Sequence, residues 1–149
     1  MKVLVAIFSA LIITACGGND SIYGVDFDRI DTDGKGEKIL DKYSDGGNDG
    51  PMGLLACAFA PLAFMEDLAF GKADLKDLDK MSPKDFRPIR LTLKGNILTI
   101  SSDDLNKIKE ESFKKDIDNN LLYEKLDDIE FLTFKVKTAT CRLPLKKLN

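Results

Sequence analysis

The stretch Ile89 to Ser101, IRLTLKGNILTIS, constrains the fold more tightly than any other part of the chain. Gly95-Asn96 suits the two-residue turn of a β-hairpin, where the backbone needs a positive φ that glycine adopts at no steric cost. Closing the turn there sets Lys94 opposite Ile97, Leu93 opposite Leu98, Thr92 opposite Thr99 and Leu91 opposite Ile100. Leu91, Leu93, Leu98 and Ile100 then share one face, and the threonines lie on the other. Turn chemistry and hydrophobic alternation ask for the same register, and a slip of one residue would turn the whole apolar set toward water.

Further elements follow from the same patterns. Glu130 to Leu143, EFLTFKVKTATCRL, alternates Leu132, Phe134 and Val136 with Lys135 and Lys137, as a half-buried strand does. Ile22 to Ile30, IYGVDFDRI, sets Tyr23, Val25 and Phe27 between polar or small neighbours and predicts an edge strand. Ser101-Ser102-Asp103-Asp104 predicts the capped start of a helix whose apolar positions are Leu105, Ile108, Phe113, Ile117 and Leu121. Met52 to Met65, MGLLACAFAPLAFM, holds no charge on any face; Pro61 interrupts it, and an all-round apolar helix belongs at the centre of a fold. All of the 11 glycines except Gly71 and Gly95 precede Leu54, so the first third reads as irregular. The expected architecture is α+β: a small antiparallel sheet, made of the hairpin at 89–101 and a C-terminal strand near 130–141, covered by helices that include the apolar helix near 52–65.

At the other end of the chain, Lys2 precedes an apolar run from Val3 to Ala15 in which only Ser9 and Thr14 are polar. The run is shorter than the roughly 20 residues that a membrane-spanning helix requires, and it has the parts of a secretory leader. It closes on Ile13-Thr14-Ala15-Cys16, which resembles the lipobox of bacterial lipoproteins. The resemblance implies cleavage before Cys16, diacylation of its thiol, acyl chains such as palmitate in a bilayer, and release of residues 1–15. Residues 16–21 would form the lipidated tether and 22–149 a single domain. Each buried methylene contributes about 0.8 kcal/mol, so two or three chains hold a domain firmly at a bilayer surface. Gly17 follows the cysteine where an aspartate would be the other pattern. That resembles lipoproteins directed to the outer membrane, which implies the inner leaflet of that membrane, facing the periplasm.

With Cys16 assigned to lipid, Cys57 and Cys141 remain as a pair in an exported protein, where disulfides persist. Their bridge would contribute on the order of 4 kcal/mol on the chain-entropy model. Separate burial of two thiols is the other reading.

Chemistry is sparse. With no histidine there is no imidazole triad, no histidine zinc site and no neutral-pH proton shuttle. A hydrolase working on carboxylates alone would need two of the 25 acids to converge in a cleft, and there is no tryptophan to line one. Asp31, Asp33 and Gly36 sit at calcium-loop positions, but Lys35 and Lys42 occupy two of the ligand positions, so no metal is expected. No cofactor is expected either. Loss of the leader makes the domain one unit more acidic than the −3 of the whole chain, which disfavours nucleic acid. The expected partners are the membrane, through Cys16, and a protein of the cell envelope. If part of the apolar helix stays exposed, Phe59, Phe64, Met65 and Phe70 are the candidates for docking that protein or an acyl chain. The expected role is a lipid-anchored, non-enzymatic binding or structural protein of the envelope. The alternative is an inhibitor or immunity-type lipoprotein that neutralises a toxin or hydrolase in the periplasm.

Overall fold

The computed structural model describes residues 20–30, 38–81, 85–109, 111, 114–115 and 121–149. The leader and Cys16 lie outside the described residues, as do Asp31, Asp33, Lys35 and Gly36 of the calcium-like loop and Phe113 and Ile117 of the expected long helix.

Six antiparallel strands in chain order close into a barrel: β1 (Ser21–Val25), β2 (Leu91–Lys94), β3 (Ile97–Ile100), β4 (Leu122–Leu126), β5 (Ile129–Val136) and β6 (Ala139–Lys147), with β6 returning to β1. The described helices are short: α1 (Phe27–Ile30), α2 (Ile39–Tyr43), α3 (Pro51–Phe59), α4 (Glu66–Ala69) and α5 (Ser102–Lys107). The expected small sheet covered by helices is therefore incorrect. The sheet closes on itself, and its apolar face is buried by its own curvature.

The error has identifiable sources. The hairpin is as expected, with Leu91↔Ile100, Thr92↔Thr99, Leu93↔Leu98 and Lys94↔Ile97, and with Gly95 at φ 63°. The supposed single strand near 130–141 is two strands, β5 and β6, joined through Lys137-Thr138, and β4 meets β5 through Asp127-Asp128. Lys137 (φ 55°), Asp127 (φ 48°) and Asp128 (φ 63°) take up the positive φ that tight hairpins need, so neither turn carries a glycine to announce it. β1 is not an edge strand. It pairs with β2 through Tyr23↔Leu91 and with β6 through Val25↔Leu145.

Inward-facing residues fill the lumen: Val25, Leu91, Leu98, Leu132, Phe134 and Leu143 are all buried. Both faces of β5 and β6 are covered, because α2 lies against the outer face. There Phe131 is fully buried and its ring centroid is 4.9 Å from that of Tyr43. Under the same cover, Arg142 donates through Nε to Glu124 Oε2 at 2.8 Å and through Nη1 to the Tyr43 carbonyl at 2.8 Å. Thr133 Oγ1 donates to the same Glu124 oxygen at 2.7 Å.

Among the described residues, β3 and β4 share one registered pair, Ile97↔Leu122, with Leu98 N donating to the Leu121 carbonyl and Tyr123 N to the Asn96 carbonyl, while β5 and β6 pair from Phe131↔Pro144 to Val136↔Ala139. α5 follows β3 and begins as expected, with Ser101 Oγ accepting from the Asp104 amide at 3.2 Å. α5 ends at Lys107, and Ile108 and Leu121 are both buried.

Candidate functional site

The connection from β1 to β2 carries the residues of interest. Pro51 takes the first position of α3, where its missing N–H costs nothing. The helix stops at Phe59 because Pro61 has no N–H to donate to Cys57 and its ring crowds that carbonyl, so the chain tightens into a 3₁₀ segment, Ala60–Phe64. A short antiparallel bridge fixes the exit from this segment: Ile89 N donates to the Phe64 carbonyl at 2.9 Å and Glu66 N to the Arg87 carbonyl at 2.8 Å.

α3 lies across one end of the barrel and is locked there. Cys57 is joined to Cys141 of β6 with a Cα–Cα distance of 5.1 Å. One turn earlier, Gly53 rests against Gly46: a Cβ at Gly53 would meet the Gly46 carbonyl oxygen at 2.1 Å, so only glycine fits this approach. With Gly53, Cys57 and Ala60 turned inward, the opposite face of the helix points to solvent. It carries Met52, Leu55 and Phe59, which are 67%, 47% and 61% exposed and lie at the i, i+3, i+7 spacing of one helical stripe.

Phe59 also borders a half-open groove of about 500 Å³. Ala56, Ala60, Leu62 and Ala63 line it together with Leu68, Ala69 and Ala73, and so do Val136 and Ile108. Lys109 and Asp74 are the charged side chains among its lining residues.

Of the four residues expected to dock a partner, Phe59 lines this groove and the other three do not. Phe64 is fully buried with its ring centroid 5.8 Å from that of Phe134, and Met65 is buried. Phe70 is half-buried under two ammonium groups, Lys107 Nζ at 4.9 Å and Lys72 Nζ at 5.9 Å from its ring centroid. Phe70 borders a separate, more polar cavity with Arg87, Arg90 and Glu66. Met52 and Leu55 escape the sequence reading because every position of this segment is apolar. The signal that finds them is the disulfide, since the side of the helix bearing Cys57 has to face the barrel.

A different chemistry occupies the lumen toward the other end of the barrel. Tyr23 and Tyr123 both donate their hydroxyls to Glu130 Oε1, at 3.0 and 2.7 Å, with ring centroids 5.8 Å apart. Burial, then the Glu130 carboxylate, push both phenols above the ordinary tyrosine value. On the outer wall, hydrogen bonds from Arg142 and then Thr133 hold the Glu124 carboxyl below its usual range, against a smaller opposing effect of burial. Strand alternation puts Glu130 inside the wall and Glu124 outside it, so these two carboxylates do not converge. Among the described residues, every buried side-chain N or O atom has a hydrogen-bond partner.

Compared with family models, with curated proteins and with solved structures, the chain matches none.

Proposed function

We propose that this protein is a lipid-anchored binding domain of the cell envelope, held at the inner leaflet of the outer membrane by acyl chains on Cys16, and that α3 with its groove is the binding surface. The observation that carries the binding role is the apolar stripe Met52, Leu55 and Phe59, held outward by the Cys57–Cys141 bridge and continuous with the groove. Exposing three large apolar side chains on one helix face costs solubility unless something covers them. The anchor is supported by the lipobox-like Ile13-Thr14-Ala15-Cys16. A non-catalytic role is supported by the lack of histidine and by the engagement of Glu124 and Glu130 on opposite faces of the wall.

Two measurements on the full chain test this reading. Cys16→Ala is expected to leave the leader uncut and to free the domain from acyl-mediated membrane attachment; unchanged acylation and fractionation would refute the anchor. A photoreactive benzoyl-phenylalanine in place of Phe59 is expected to form a discrete adduct in the intact envelope. Adducts no more abundant than those from the same group at exposed Asn96 would refute the surface.

A further inference from the structure

We infer that the groove beside α3 takes one acyl chain of a single-chain amphiphile with a zwitterionic headgroup, the chemistry of a lysophospholipid. This rests on the binding role proposed above and names its ligand class.

The walls set the shape. Five alanines, Ala56, Ala60, Ala63, Ala69 and Ala73, line the groove, and side chains this small leave room for a slender hydrocarbon chain. A volume of about 500 Å³ falls within the range of small-molecule sites. A protein partner of ordinary interface character needs roughly one hydrogen bond per 100–200 Å². The lining side chains supply polar groups only from Lys109 and Asp74, which suits a hydrocarbon chain with one polar end.

Charge selects the head. Lys109 and Asp74 are both exposed, one cation and one anion, and they match a phosphate and an ammonium on the same headgroup. The Lys109 ammonium lies over Gly71: a Cβ there would meet its Nζ at 2.5 Å, and Gly71 has φ +71°. The absence of a side chain at Gly71 thus lets the cation sit at the groove.

Placement favours a separate amphiphile over the protein's own anchor as the occupant. The chain enters the barrel at Ser21, which pairs with Leu93 beside the Gly95-Asn96 turn. Asn149 clasps the same corner, its Nδ2 donating to the Asp20 carbonyl and its Oδ1 accepting from the Ile22 amide, both at 3.0 Å. Cys141, under α3, lies at the other end of β6 from Lys147, the partner of Tyr23. That run of strand spans on the order of 20 Å at ~3.3 Å per residue. Asp20 thus lies at the corner remote from α3, and an acyl chain on Cys16 would have to run about the length of that strand to enter the slot, whereas an amphiphile from the aqueous space enters it directly.

The test uses envelope membranes containing the full chain and a lysophosphatidylcholine with a diazirine in its acyl chain. Saturable labelling is expected in the tryptic peptide spanning residues 43–72. Unlabelled lysophosphatidylcholine should compete about threefold better than palmitate and better still than hexadecanol, since each headgroup charge gains about what one exposed ion pair does. Ala63→Trp, which fills the slot, should abolish labelling, and the surface changes Lys109→Met and Asp74→Asn should each erode the preference for the zwitterion without altering the fold. Labelling spread evenly over the peptides, labelling that survives Ala63→Trp in a chain with its disulfide intact, or equal competition by all three lipids would overturn the inference. A protein adduct at Phe59 with no lipid labelling would sink this ligand class while leaving the binding role standing; no adduct of any kind would sink both.

Discussion

The two ends of the barrel are closed by different means. At one end the closure is covalent and apolar: Cys57 is bonded to Cys141, and Phe64 and Phe134 meet beneath α3. Toward the other, Tyr23 and Tyr123 share the Glu130 carboxylate, and Asn149 ties the last residue to the first strand. A covalent closure lets α3 keep its large apolar side chains on the outside, because the disulfide fixes the helix without needing its full apolar perimeter for packing. A hydrogen-bonded closure has no such latitude, since each donor left unpaired in the lumen costs about 1–3 kcal/mol. The end closed by a covalent bond is the end that presents an apolar surface.

The sharpest way to break this contrast is to remove the bridge. Cys57→Ser with Cys141→Ser is expected to cost about 4 kcal/mol, read from the shift in the urea midpoint. Hydrogen exchange should rise first in α3 and least in β4 and β5. A loss below about 1 kcal/mol would mean that packing alone holds the helix, and the outward stripe would lose its explanation.

Removing one tyrosine hydroxyl sharpens the other side. Tyr123→Phe is expected to cost about 1 kcal/mol at neutral pH. Both phenols have folded pKa values above their unfolded value of about 10, so the native state holds more protons above that pH. Their contribution is complete below pH 10 and is lost as pH rises past it. The unfolding free energy of the parent should therefore fall more steeply above pH 10 than that of Tyr23→Phe with Tyr123→Phe; equal slopes would show that the pair is not linked to folding.

These ends were unequally legible in the sequence. The hairpin of β2 and β3 could be read to the residue, because Gly95-Asn96 and the alternating leucines and isoleucines are local signals that agree. Ser101 capping Asp104 is local in the same way. Barrel closure was not legible: β4, Leu122–Leu126, reads as polar because Glu124 is matched by Arg142, a residue of β6 on the far side of β5. The turns at Asp127-Asp128 and Lys137-Thr138 place positive φ on Asp127, Asp128 and Lys137, with no glycine to signal it. The pairing of Cys57 with Cys141 is the expected one, with separate burial of the two thiols as the other reading, but the face of α3 left outside follows only from the geometry of the bond.

The wall between the two ends provides a smaller test. The Glu124 carboxyl is held below its usual range, so its contribution is present above its unfolded pKa of 4.5 and is lost as pH falls through the folded value. Glu124→Gln should cost under about 1 kcal/mol at pH 7, given partial exposure of the pair, and should flatten the acid limb of the stability curve. The smallest effect belongs to the outward stripe. Phe59→Ser removes a large aromatic side chain, yet at 61% exposure it should change the urea midpoint by no more than about 0.5 kcal/mol equivalent, against the 3–5 kcal/mol usual for a buried phenylalanine. Phe64→Ser, five residues along the chain and fully buried, is the internal control and should approach the larger figure. If Phe59→Ser cost as much as Phe64→Ser, the stripe would be part of the barrel's packing, and the case for a surface kept free for a ligand would end there.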